Sequence, residues 1–134
     1  MYSDVVIEHF SNPRNVGTME NPDGYGKVGS PVCGDIMELY LRIRDGKIAD
    51  VKFRTFGCAA AIASSSIATE MIKGLPVAKA AELTDEQVVA ALGGLPEAKI
   101  HCSVLAASAL YAALEDYYAK HPEARVLEAS PTKS

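Results

Sequence analysis

Hydrophobic and polar positions change period twice along this chain. Met37, Leu39, Leu41 and Ile43 alternate with Glu38, Tyr40, Arg42 and Arg44, the period of two that marks a strand with one face turned to a core. Asp45-Gly46 follows, a dipeptide that favours two-residue hairpin turns, and Ala49, Val51 and Phe53 resume the alternation. The segment predicts an antiparallel hairpin with one wet face. Residues 26 to 31 predict a third strand, with Gly29 and Pro31 counting against it.

At Cys58 the period becomes helical. Ile62, Ile67, Met71 and the surrounding alanines suit a helix ending at Gly74. Thr84-Asp85-Glu86-Gln87 has the form of a capping box, opening a short helix through Leu92 that Gly93-Gly94 stops. From Ser103 to about Lys120, Val104, Ala107, Tyr111, Leu114 and Tyr118 recur at helical spacing and predict one core-facing stripe. At the other end, Ser3 is placed to cap a helix over Asp4 to Phe10, and the turn-rich SNPRNVGTMENPDGYG then predicts a long loop. Strands precede helices without βαβ alternation, so the expected class is α+β, a small antiparallel sheet with helices packed on one face. GYGKVG lacks the strand-before, helix-after context of a nucleotide-binding turn.

Composition narrows the function classes. The 134 residues fit one domain, expected over residues 1–125, with residues 126–134 a flexible tail. Thirteen basic and 17 acidic side chains are interleaved, for a net charge of −4, and present no basic footprint for nucleic acid or anionic lipid. No apolar run approaches a membrane span, and MYSDVVIEHF has neither the cationic start nor the apolar run of a signal peptide. Three cysteines, an odd number, argue against a disulfide framework and for a reducing, cytoplasmic setting.

All three thiols fall at predicted element ends: Cys33 before the first long strand, Cys58 between a strand and a helix, Cys102 at the start of the last helix. Core cysteines have no reason to prefer such places, whereas metal ligands do, because loops and helix starts aim thiolates at a common point. The field at a helix N-terminus also favours a thiolate at Cys58 and Cys102. Gly34 and Gly57 sit beside two of the thiols and permit unusual backbone geometry. Asp35 adds a hard carboxylate near Cys33, and His101 a borderline imidazole beside Cys102. Gaps of 24 and 43 residues between successive cysteines match no compact zinc finger, so spacing leaves a metal or sulfur site and scattered structural thiols both open.

Taken in order, VGSPVCGDIMELYLRI, FRTFGCAAAIASSSIATEMIKG and LPEAKIHCSVLAASAL resemble the IscU/NifU family of iron-sulfur cluster assembly scaffolds, nearly to the end of the chain. The resemblance implies a SufE/NifU-like fold with a three-stranded sheet. It implies that Cys33, Cys58 and Cys102 bind a transient [2Fe-2S] cluster or accept sulfur, and that Asp35 and His101 border the site. It further implies iron as cargo, a cysteine desulfurase as sulfur donor, and acceptor apoproteins that take the finished cluster. Three thiolates fall short of a permanent four-cysteine centre. A fourth position held by Asp35 or His101 would make the cluster exchangeable, as temporary tenure requires. Cys102 is the expected first sulfur acceptor, with Cys58 the alternative. The protein is then an assembly scaffold and carrier rather than a turnover enzyme, and a homo-oligomer could form on cluster binding.

Two departures from the family pattern change what is expected. The LPPVK motif read by a DnaK-type chaperone appears as Leu95-Pro96-Glu97-Ala98-Lys99, which puts that partner in doubt. The later cluster-bearing domains of NifU proteins do not follow in this sequence, so a stand-alone scaffold, or a chain cut to that domain, is expected. A zinc-bound sulfur acceptor would use the same residues, but the gap before Cys102 is short for the insertion that the zinc-dependent branch carries. A Cys-His hydrolase would need His101 to reach a thiol, and no orienting third residue is visible.

Overall fold

The computed structural model of the chain describes residues 2–29, 34–97, 100 and 102–122, Cys102 by its backbone alone. Helix α1 (Asp4–Ser11) begins at Ser3, whose hydroxyl accepts from the Val6 amide at 3.2 Å and donates to the Leu92 carbonyl. Strands β1 (Gly24–Gly29), β2 (Ile36–Arg44) and β3 (Lys47–Phe56) form one antiparallel sheet in the order β1-β2-β3. Helices α2 (Ala59–Ile72), α3 (Val77–Ala80), α4 (Asp85–Ala91) and α5 (Cys102–Lys120) follow. The expected α+β class is the observed one. No helix among the described residues is long and apolar enough to cross a membrane.

Met37, Leu39 and Leu41 of β2 and Ile48, Val51 and Phe53 of β3 are buried on one face. The hairpin turn has positive φ at both Asp45 (54°) and Gly46 (74°), the geometry that matches the twist of the flanking strands. One detail departs from simple alternation. Ile43 pairs with Ile48 but Arg42 pairs with Asp50, so Ala49 is an extra residue in β3. This bulge turns Ala49 to solvent and lets Ile48 face inward, correcting the expectation that Ala49 shares a face with Val51 and Phe53.

The third strand begins at Gly24, two residues earlier than expected, and residues 30 and 31 lie outside the described set. Its glycines have a packing role. A Cβ added at Gly26 would lie 2.5 Å from the Ala109 carbonyl oxygen and 2.6 Å from the Ala113 nitrogen, so α5 rests with its backbone almost on the strand. Ala106, Ala109, Leu110, Ala113 and Tyr117 therefore face inward, while Val104 (43 % exposed) and Tyr111 (42 % exposed) do not. Of the predicted stripe, Ala107 and Leu114 are buried and Tyr118 packs against the core, while Val104 and Tyr111 fall outside it, and the small residues between widen the buried face. Close approach selects small residues, and a count of bulky apolar positions passes over them.

Helix α2 is buried on most sides, and its buried Ser65, Ser66 and Thr69 find partners, whereas Ser64 Oγ has none among the described residues. Ser65 donates to the Ala61 carbonyl (2.8 Å) and accepts from Thr55 (2.9 Å). Ser66 accepts from the Arg14 amide (2.9 Å) and lies 2.7 Å from His9 Nδ1. The other nitrogen of that buried imidazole faces Glu70 at 3.4 Å, which pins α1 to α2. The predicted capping box at Thr84 and Gln87 is present in full.

Candidate functional site

Strand register builds the site. Ile36 at the start of β2 pairs with Phe56 at the end of β3, so the next residues outward, Asp35 and Gly57, lie opposite one another at the open end of the hairpin. A two-residue turn with no bulge would continue the Arg44–Lys47 pairing and set Asp35 opposite Phe56. The extra residue at Ala49 moves β3 by one position and brings glycine there instead. Gly57 has no side chain to occupy the space, and the Asp35 carboxylate lies across it, buried.

Cys58 comes next and is the N-cap of α2, with no side-chain cap hydrogen bond. Its half-buried thiol lies 3.8 Å from Asp35 Oδ2. A soft donor and a hard donor are therefore neighbours at the positive end of a helix. The first turn of α2 carries no acidic residue, and neither does that of α5, which Cys102 opens. Both helix starts keep their field for whatever anionic groups gather there. Leu95, Tyr2 and Cys58 pack around Ala60 and Ala61, so Leu95 lies at the same end of the molecule as the Asp35–Cys58 pair.

Of the five residues singled out from sequence, the structure brings Asp35 and Cys58 together and places Cys102 by its backbone at a helix start. Cys33 and His101 lie outside the described residues, as do Ala98 and Lys99 of the LPEAK segment. Among the described residues no group of three or more His, Cys, Asp or Glu side chains is placed to hold a metal ion. Asp35 is buried, 5 % exposed. The two glycines beside the thiols, both expected to serve unusual backbone geometry, differ in kind. Gly34 has φ +73° and no described residue within 4 Å of an added Cβ, whereas Gly57 is not among the positive-φ glycines and is crowded by Asp35. In the sequence the two look alike, since contact with a buried carboxylate leaves no signal there beyond the Gly-Cys dipeptide. Ile36 and Phe56 (57 % exposed) form an apolar border beside the pair, with the Arg54 guanidinium 5.4 Å above the Phe56 ring.

Residues 1–124 match the model of the NifU-like N terminal domain family. The chain is 58% identical over 121 residues to "Iron-sulfur cluster assembly scaffold protein IscU 1" of Archaeoglobus fulgidus, covering 90% of this chain and 79% of that one. It is 48% identical over 124 residues to "Iron-sulfur cluster assembly enzyme IscU" of Drosophila melanogaster, covering 90% and 80%. The crystal structure of an N-terminal NifU-like protein from Brucella abortus superposes with a TM-score of 0.69 at 22% identity, covering 88% of this chain and 94% of that one, and shares the fold.

Proposed function

As the chain belongs to the NifU-like N-terminal domain family, we propose that it is a scaffold on which an iron-sulfur cluster is built and from which it is passed on. The observation that carries this reading is the Asp35 carboxylate held 3.8 Å from the Cys58 thiol at the start of α2. A ligand set of thiolates alone would suit a permanent centre. One that mixes thiolate with carboxylate suits iron that must later leave, because iron–oxygen ligation exchanges more readily. In the proposal, Cys33, Cys58 and Cys102 hold a [2Fe-2S] cargo and Asp35 or His101 completes the set. The functional unit is residues 1–125.

Sulfur arrives from a cysteine desulfurase as a persulfide. The thiolate of Cys102 attacks the outer sulfur, the donor's S–S bond breaks, and the donor cysteine leaves as thiolate. Reduction of the new persulfide to sulfide then takes two electrons from a reductant that the assembly partners supply. The protein itself ends each round as acceptor apoproteins take the cluster, so it carries rather than turns over. Glu97 and Ala98 in the LPEAK segment weaken recognition by a DnaK-type chaperone.

The test is anaerobic reconstitution with iron, cysteine and a desulfurase, followed by absorption and metal analysis. A visible sulfur-to-iron band near one [2Fe-2S] per site is expected, and is lost when Cys33, Cys58 and Cys102 are all replaced by Ser. A colourless protein carrying stoichiometric zinc, resistant to exchange by iron, would favour the zinc-bound sulfur acceptor instead. A band that survives the triple replacement would refute both.

A further inference from the structure

We infer that Gly57 is a positioning residue, whose missing side chain sets where the Asp35 carboxylate lies against Cys58. The inference rests on the reading of Asp35 as a member of the site. A Cβ at Gly57 would fall 2.5 Å from Asp35 Cγ, 2.7 Å from Oδ1 and 2.9 Å from Oδ2, distances that no packed side chain tolerates. The backbone has no such objection. Gly57 is not among the positive-φ glycines of the described residues, so an L-residue meets no conformational strain there. Nor is the obstacle backbone: the atoms in the way are the end of an aspartate side chain, which rotation about its own torsions can displace. An alanine at position 57 is therefore accommodated by expelling the carboxylate, and the cost appears at the site rather than in the fold.

This assigns different duties to the two glycines that flank the thiols. Gly34 answers to its φ of +73°, with no atom of the described residues within 4 Å of an added Cβ. Gly57 answers to the carboxylate. A donor held by packing beside a metal-binding thiol acts as a supporting shell does, and loosening such support typically costs about tenfold or more in metal affinity.

The experiment is a double-mutant cycle on the apo protein with Co2+ alone as probe, read by affinity and by the shape of the ligand-field bands. Gly57→Ala is expected to weaken Co2+ binding by about tenfold and to move the bands toward those of Asp35→Ala. In the Asp35→Ala background the same substitution should change affinity by less than about twofold, because the group it acts through is gone. An unchanged Co2+ affinity for Gly57→Ala, or an equal loss in both backgrounds, overturns the inference. Should Gly57→Ala melt far below the wild type, the Asp35→Ala double variant must recover the melt, since it removes the obstructing group; failure to recover also overturns it. Cluster reconstitution runs in parallel. Absence of the visible band in the wild type would sink the scaffold reading, while the Co2+ cycle would still decide the role of Gly57.

Discussion

Two glycine contacts in this protein look alike and work differently. At Gly26 an added Cβ would meet the Ala109 carbonyl oxygen and the Ala113 nitrogen, which are backbone atoms of a 19-residue helix. At Gly57 it would meet the end of one aspartate side chain. The first neighbour has nowhere to go without moving α5 off the sheet. The second needs only a torsion. A close approach to backbone is thus a stability device, whereas one to a carboxylate sets where a single side chain lies, and what separates them is whether the atoms opposite belong to backbone or to a side chain.

The strongest way to break this comparison is Gly26→Ala. With backbone on the far side the overpacking cost should reach about 3 kcal/mol, and the apo melting temperature should fall on the order of 10 °C. Melts of Gly26→Ala and Gly57→Ala side by side test it: equal losses would mean that the nature of the neighbour is irrelevant.

A second test uses a group that holds the fold far from the glycines. Burial, aided by Arg14 and opposed by Glu70 and Glu8, pushes the His9 imidazole below its ordinary value of 6.5. The folded state then favours the neutral ring, while the unfolded chain takes up a proton as pH falls through 6.5. The contribution of His9 is full above that value and is lost progressively below it. Apo melting temperature should fall between pH 7 and pH 5, and His9→Gln should flatten that slope while costing about 1 kcal/mol at pH 7. An unaltered slope in the variant would show that other groups set the acid limit.

The smallest expected effect lies on the open face of the sheet. The Tyr25 hydroxyl donates to Glu38 Oε2 at 2.6 Å, and that bond to a carboxylate, with burial, raises the phenol to about 12. Ultraviolet titration should find one tyrosine ionising near that value, absent in Tyr25→Phe, with a melting change of only a few degrees, equivalent to about 1 kcal/mol. A loss comparable to that of Gly26→Ala would mean that the wet face contributes as much as the helix contact.

Much of the architecture is written in short stretches of the chain. The Asp45-Gly46 turn, the alternation through β2, the Ser3 cap and the Thr84–Gln87 box are local chemistry, and each appears where the residues call for it. The chemical inventory is legible in the same way: a thiol at the start of α2, another at the start of α5, a carboxylate beside Gly34. These follow from residue types and short spacings, which the chain carries in itself. Tertiary structure decided the rest. The inward face of α5 depends on glycines far away along the chain in β1, because their missing side chains let the helix backbone approach the strand, so that small alanines share the buried face with Leu110 and Leu114. The meeting of Asp35 with Gly57 and Cys58 depends on a one-residue bulge at Ala49, which sets the register from the turn to the open end of the hairpin. A bulge is chosen by how the whole inner face packs, here Ile48 turned inward and Ala49 outward, and packing between distant segments is not a property of any local pattern.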